Sequence, residues 1–156
     1  MEQIEMRRKD KLMTEEAIEA VLKEGEYLTL LTVGKDGYPY GTPMNYVWSD
    51  GKIYLHGTVF EGHRNKNITY SNKVSFNIVR NTSVVADGFY SKFESVIGFG
   101  IIEIVNDDKK QEALRYFIDK YSKNFVDKGM QYIADAKDKT IVYEVIPEVI
   151  SGKAKY

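Results

Sequence analysis

Apolar residues along this chain recur first at helical spacing and then at the two-residue spacing of strands. In TEEAIEAVLKEG, which starts at Thr14, the residues Ile18, Val21 and Leu22 share one face of a predicted short helix. Thr14 is its hydroxyl cap, Glu15 and Glu16 occupy the positive first turn, and Gly25 stops it. The period then shortens. YLTLLTV (27–33), YPYGTPMNYVW (38–48) and KIYLHGT (52–58) predict three strands joined by the turn signals KDG and SDG, an antiparallel meander. VSFNIV (74–79) alternates Val74, Phe76 and Ile78 against Ser75 and Asn77, as a strand with one buried face does. Residues 80–94 show little periodicity and predict a loop. SVIGFGIIEIV (95–105) predicts a fifth strand in which Gly98 and Gly100 permit a bend or a close approach. NDDKKQEALRYFIDKYS (106–122) is an amphipathic helix with Ala113, Leu114, Phe117, Ile118 and Tyr121 on one stripe. KTIVYEVIPEVI (139–150) supplies a sixth strand, interrupted by Pro147.

Six strands with helices at the ends and in one crossover predict a mainly β protein, an antiparallel barrel with peripheral helices rather than a parallel α/β sheet. One domain accommodates all 156 residues: an N-terminal arm and helix over 1–25, then a barrel over 27–150 that includes the crossover helix 106–122. Neither a Rossmann nor a P-loop glycine pattern is present, and no internal repeat or low-complexity linker divides the chain.

Composition removes several function classes. Twenty-two basic against twenty-three acidic residues leave a net charge of -1, which argues against a broad surface for nucleic acid or anionic lipid. No apolar run approaches the length of a membrane span, and MEQIEMRRKDK lacks the apolar core of a secretory signal, so a cytoplasmic protein without a membrane partner is expected. With no cysteine there is no disulfide, thiolate metal site or dithiol chemistry, and two histidines argue against a protein-ligated transition metal. Redox chemistry here therefore requires a bound cofactor. Twelve tyrosines suit a β-rich protein with a wet interface.

Both histidines fall within HGTVFEGHRNKN, residues 56–67. Strand alternation sets Tyr54, His56 and Thr58 on one face and Ile53 and Leu55 on the other, so the polar face is a candidate cleft wall. The chain then turns and starts a helix at HRNKNITY, which gathers free N–H groups, His63, Arg64 and Lys66 at a positive helix end, with Gly62 leaving the backbone accessible. Two readings stand: a phosphate site, in which Arg64 offers a planar fork of donors, or an ordinary exposed helix with basic residues and a strand histidine at position 56.

The segment YPYGTPMNYVWSDGKIYLHGTVFEGHRNKNI, the later ESVIGFGIIEIV and the opening MRRKDK together resemble the pyridoxamine 5'-phosphate oxidase-like FMN-binding split barrels, in particular their nitroimidazole-resistance branch. The resemblance implies a homodimer of six-stranded split β-barrels with FMN in the clefts between protomers. The family's Ser-Arg-Lys phosphate segment falls on Gly62, His63 and Arg64, a partial match that shifts the anion onto the helix amides and Arg64. Asn45 and Tyr46 occupy the segment along the flavin edge. Their structural alternatives are a turn-capping amide for Asn45 and core packing for Tyr46. His56, Gly57 and Thr58 end the flavin-facing strand, and Ser95 either reaches the flavin or dimer seam or is a strand-start hydroxyl. Arg7 and Arg8 are similar to a basic N-terminal arm. The implied activity is an FMN-dependent oxidoreductase similar to nitroimidazole reductases, acting on a small nitroaromatic or related substrate. NAD(P)H or another reductant is its electron source, and His56 or His63 its proton donor, with His56 nearer the ring. The competing readings are a flavin- or haem-binding protein without turnover, a pyridoxamine phosphate oxidase, for which no substrate-phosphate residues are found, and an empty structural dimer.

Overall fold

The structure, a computed structural model, describes residues 5–156, so the first four residues of the expected arm lie outside the described residues. It is mainly β, with seven strands where the hydrophobic pattern predicts six, because the second strand is broken in two. Strand β1 (Tyr27–Val33) pairs antiparallel with β2 (Pro39–Asn45), and β3 (Val47–Ser49) pairs with β4 (Lys52–Thr58). Both turns fall where expected, with positive φ at Gly37, Asp50 and Gly51. The expected continuous meander, however, is split. The sheet order is β2-β1-β5-β6-β7-β4-β3, which places β2 and β3 at opposite edges of one sheet. These edges are consecutive in the chain and joined through Tyr46, so the curled sheet is not closed by a hydrogen-bonded ladder.

Tyr46 therefore lies outside both ladders, and its peptide groups need other partners. Helix α3 (Asp107–Tyr121) supplies them: Tyr121 Oη is 2.7 Å from Tyr46 O and 3.2 Å from Tyr46 N, and Lys120 Nζ donates to Tyr46 O at 3.0 Å and Gly25 O at 2.7 Å. The Tyr46 ring is fully buried in the barrel core, and its hydroxyl donates to Val21 O of α1 (Glu15–Glu24) at 3.1 Å.

The remaining strands are longer than the pattern implies. β5 (Lys73–Val85) and β6 (Tyr90–Ile104) run past the barrel as a two-stranded ribbon, which replaces the loop expected over 80–94. A register shift lies between Arg80 and Ser83, and Asn81 there has φ 52. Buried Glu94 accepts from Arg80 Nε at 2.6 Å and Asn81 Nδ2 at 2.9 Å, while Arg80 also pairs with Glu24 of α1. β7 (Thr140–Lys155) continues through Pro147, which lies at an irregularity opposite Gly100.

Inside the curled sheet, Leu28, Leu30, Tyr46, Ile53, Leu55, Phe76, Ile78, Val96, Tyr143 and Val145 form the main core. A second core lies outside it. There α3 and an unexpected helix, α4 (Val126–Ala136), cover β3, β4 and β7 through Val47, Tyr54, Leu114, Phe117, Ile118, Ile133 and Val142. Tyr54 is thus buried under α3, although it shares a strand face with the polar His56 and Thr58.

Candidate functional site

Strand β4 ends, and helix α2 (His63–Tyr70) begins, between two clefts. One, of about 760 Å³, lies between β4 and the α3–α4 pair; Asn45, His56, Gly57 and Thr58 form its sheet wall and Phe117, Tyr121, Phe125, Lys128 and Tyr132 line its helical wall. The other, of about 990 Å³, runs beneath α2 and includes His63, Asn65, Lys66 and Tyr143.

In the first cleft the His56 ring meets Phe117 edge-on, with centroids 4.6 Å apart. Much of the imidazole is open to the cleft, yet protein rises on both sides. This crowding, followed by the charge of Arg64, pushes its pKa below the ordinary 6.5, so the ring is neutral at pH 7. Asn45 donates from Nδ2 to Glu26 O at 2.9 Å while remaining on the cleft wall.

Arg64 sits between the residues of the two clefts. Its Nε donates to Asn65 Oδ1 at 3.2 Å, its Nη1 approaches Met44 Sδ at 3.4 Å, and its Nη2 lies against Gly57 so closely that a Cβ there would collide with it. Among the described residues no carboxylate lies within ion-pair distance of Arg64. Its charge is held in place by neutral groups and is left uncompensated. Gly62 caps α2 without a side-chain hydrogen bond, and the first helical bond runs from Lys66 N to Gly62 O, so the N–H groups of His63, Arg64 and Asn65 have no partner within the helix. A Cβ at Gly62 would meet nothing, which leaves this helix end open. Nearby, the Tyr40 ring stacks on His63 at 4.1 Å. Thr42, between Tyr40 and Met44 on one face of β2, carries the buried hydroxyl without a partner among the described residues. Lys66 pairs with Glu61 at 3.6 Å.

The structure does not gather every residue named from the sequence. Tyr46 is sealed in the core with its hydroxyl satisfied, so its ring is closed to a ligand. Ser95 accepts from Asn77 Nδ2 at 3.2 Å and faces Lys153 across the ladder. It lies about 30 Å of strand from Ile104, at about 3.3 Å per residue. Ile104 pairs with Tyr143, whose neighbour Val142 pairs with His56. Within the chain, Ser95 reaches neither cleft. Arg8 of the basic arm pairs with Asp10. Among the described residues no group of three His, Asp or Glu is placed to hold a metal, and no helix is long and apolar enough to cross a membrane.

The hydrophobic pattern predicts the α3 part of the helical wall, with Phe117 and Tyr121 on its stripe, but the α4 part was not expected. Phe125, Lys128 and Tyr132 belong to or adjoin α4, whose Val126, Met130 and Ile133 at i, i+4 and i+7 were the available signal.

A family model described as pyridoxamine 5'-phosphate oxidase matches residues 14–154. No curated protein matches the chain by sequence. Among solved structures, the chain is similar to a conserved hypothetical protein of Mycobacterium tuberculosis (TM-score 0.82, 21% identity, covering 96% of this chain and 90% of that one). It is also similar to the flavocytochrome Anf3 of Azotobacter vinelandii (0.82, 20%, 97% and 72%). A third likeness is to a protein of Bacteroides thetaiotaomicron provisionally named for 5-nitroimidazole antibiotic resistance (0.74, 21%, 91% and 85%). At these identities the likeness shows the split-barrel fold.

Proposed function

Because the chain belongs to the pyridoxamine 5'-phosphate oxidase-like family, whose model it matches over residues 14–154, we propose that it binds FMN and reduces a small nitroaromatic or related molecule. The observation that carries this reading is the uncompensated Arg64, held over Gly57 beside the uncapped start of α2. A phosphate monoester fits that donor set: it accepts from a planar guanidinium and from free helix N–H groups and cancels the charge. The aromatic-walled cleft of about 760 Å³ next to it suits a planar ring.

Bound there, a flavin supplies reversible two-electron chemistry. The chain's own residues do the rest. Arg64 and the α2 amides hold the anion, and Phe117 fixes the His56 ring. Phe125 and Tyr132 narrow the water-accessible volume beside β4. Neutral His56 offers one ring N–H to a polar atom of the ring system or substrate. It delivers a full proton only in its protonated fraction, which shrinks as pH rises above its lowered pKa.

The functional unit in this reading is a homodimer with the flavin at its seam. In support, Val79, Ile97 and Phe99 are exposed on the outer sheet face, and Ser95, too far along β6 to serve its own protomer, would serve the other.

A second reading is a flavin- or haem-binding protein without turnover. One observation favours it: an imidazole kept neutral in an aromatic cleft has the protonation state that ligates haem iron. The absorption spectrum of freshly purified protein separates the two. A flavin band, with FMN released on denaturation and bleaching by NAD(P)H that a nitroimidazole reverses, is the expected result. A Soret band, or a flavin band without that bleaching and reoxidation, supports the second reading, and a colourless protein that takes up neither chromophore removes both. Sedimentation of the purified protein as a monomer would remove the homodimer.

A further inference from the structure

The side chain that best accounts for the poise of Arg64 is its neighbour Asn65. An asparagine amide has two donor hydrogens and two acceptor lone pairs. At Asn65 each is used, and each partner comes from a different part of the chain. Nδ2 donates to Thr58 O at 3.3 Å, where β4 ends, and to Phe60 O at 3.0 Å, in the following loop. Oδ1 accepts from Arg64 Nε at 3.2 Å, on α2, and from Tyr143 Oη at 3.2 Å, on β7. The separation of donors from acceptors fixes the amide orientation, because a flipped amide would face two carbonyls with its oxygen.

We propose that Asn65 is a positioning residue that sets the selectivity of the site for a phosphorylated ligand; this rests on the phosphate reading given above. The amide clamps the 58–60 backbone to the start of α2 and presses the guanidinium into the space left by Gly57. The arginine is thereby ordered before the anion arrives, so little rotamer entropy is lost on binding. Because the clamp is electrically neutral, the positive charge stays available. Aspartate, though nearly the same shape, would pair with Arg64 and turn lone pairs toward the Thr58 and Phe60 carbonyls. Leucine or alanine would leave both carbonyls, the Tyr143 hydroxyl and Arg64 Nε without their partner.

Titration with FMN and with riboflavin, followed by flavin fluorescence, tests the assignment, since the two ligands share a ring and differ in the phosphate. Wild-type protein is expected to prefer FMN. Asn65→Ala lowers that preference by about tenfold, the scale of one hydrogen bond to a charged group. Asn65→Asp lowers it further, because the new carboxylate neutralises Arg64. Riboflavin affinity stays at the wild-type value in both. A purely structural role would weaken both ligands by the same factor, and that result overturns the proposal. So does an undiminished preference for FMN in Asn65→Asp. Should neither Asn65 variant fold, Tyr143→Phe removes one partner of the amide without reaching the anion, and an FMN preference equal to wild type then overturns it. If wild-type protein binds FMN and riboflavin equally, the phosphate reading itself fails, which the variants alone would not show.

Discussion

Replacing Gly57 by alanine displaces the Arg64 guanidinium without removing a polar atom. The new methyl group would collide with Nη2 and lie 3.3 Å from Cζ and 3.5 Å from Nη1. Relieving this moves the guanidinium by about 1 Å, since such contacts settle near 3.5–4.0 Å. The fold itself loses little. Arg64 is a flexible side chain, and Gly57 has no positive φ to forbid alanine. Alanine in a strand also recovers about 0.5–1 kcal/mol of the backbone entropy that glycine loses. The melting temperature should therefore stay within a few degrees of wild type.

Anion binding is where the substitution acts. A hydrogen bond between charged partners is worth about 1.5–3 kcal/mol, so a guanidinium that no longer reaches its anion weakens FMN binding by about 10- to 150-fold. Riboflavin, which lacks the phosphate, should bind as before. Calorimetric titration of both ligands, in wild-type and Arg64→Ala backgrounds, isolates the cause. With Arg64 truncated the methyl group has nothing to displace, and Gly57→Ala should cost nothing more. Undiminished FMN affinity in the single variant, or an equal loss in both backgrounds, would refute the view that Gly57 serves as the seat of Arg64.

Gly98→Ala should do the reverse: its Cβ would drive into the Phe76 ring at the centre of the barrel, costing about 1–3 kcal/mol in urea unfolding while leaving the ratio of FMN to riboflavin affinity unchanged. If His56 delivers the proton, kcat/KM should fall with rising pH through a value below 6.5, and His56→Gln should abolish that limb; a limb that persists assigns the proton elsewhere. Burial pulls the Lys120 ammonium down to about 8, with Glu26 opposing, whereas the unfolded chain keeps the ordinary 10.5. Between pH 8 and 10 the unfolded state then holds more protons, so stability rises with pH, by an amount that solvent screening of the half-exposed ammonium reduces. Above pH 10 the trend reverses, because burial raises Tyr46 and Tyr121 and favours ionisation in the unfolded chain. Lys120→Met should flatten the rise, and thermal melts across this range check it.

What the sequence made legible follows from what a hydrophobic pattern reports, which is burial rather than hydrogen bonding. β1 and the first half of β5 each have one buried face, and both are readable as Leu28, Leu30 and Val74, Phe76, Ile78. The break at Tyr46 was hidden because burial changes side there: Met44 and Tyr46 enter the barrel while Val47 packs under α3, so both residues at the junction are apolar. β4 and β7 are likewise covered on two faces. That is why Tyr54, expected beside His56 on a polar wall, is buried by α3 instead. The outer ribbon failed in the opposite sense. Its tip exposes Phe89 to 95% and buries almost nothing, so Ser83 to Val85 carry no alternation to read although their backbones pair.

The candidate site divides along the same line. His56 and Thr58 were visible through strand alternation, Arg64 through its charge at a strand-to-helix junction, and Gly57 through the family resemblance. Asn65 was not, since nothing in an asparagine's identity shows that all its hydrogen-bonding capacity will be used. That becomes apparent only when β7 brings Tyr143 to α2, across 78 positions of sequence. The distinction has a mechanical consequence. A charged side chain is easily recognised, but its usefulness depends on whether its neighbours neutralise it or merely hold it. Arg80 illustrates the first outcome, paired with Glu24 and Glu94 and committed to anchoring the ribbon. Arg64, with an amide, a thioether and a missing methyl group around it, illustrates the second. Exchanging those environments would make Arg64 a structural tether, which is why Asn65→Asp, a change of one amide to one carboxylate, tests the site more sharply than removing the arginine itself.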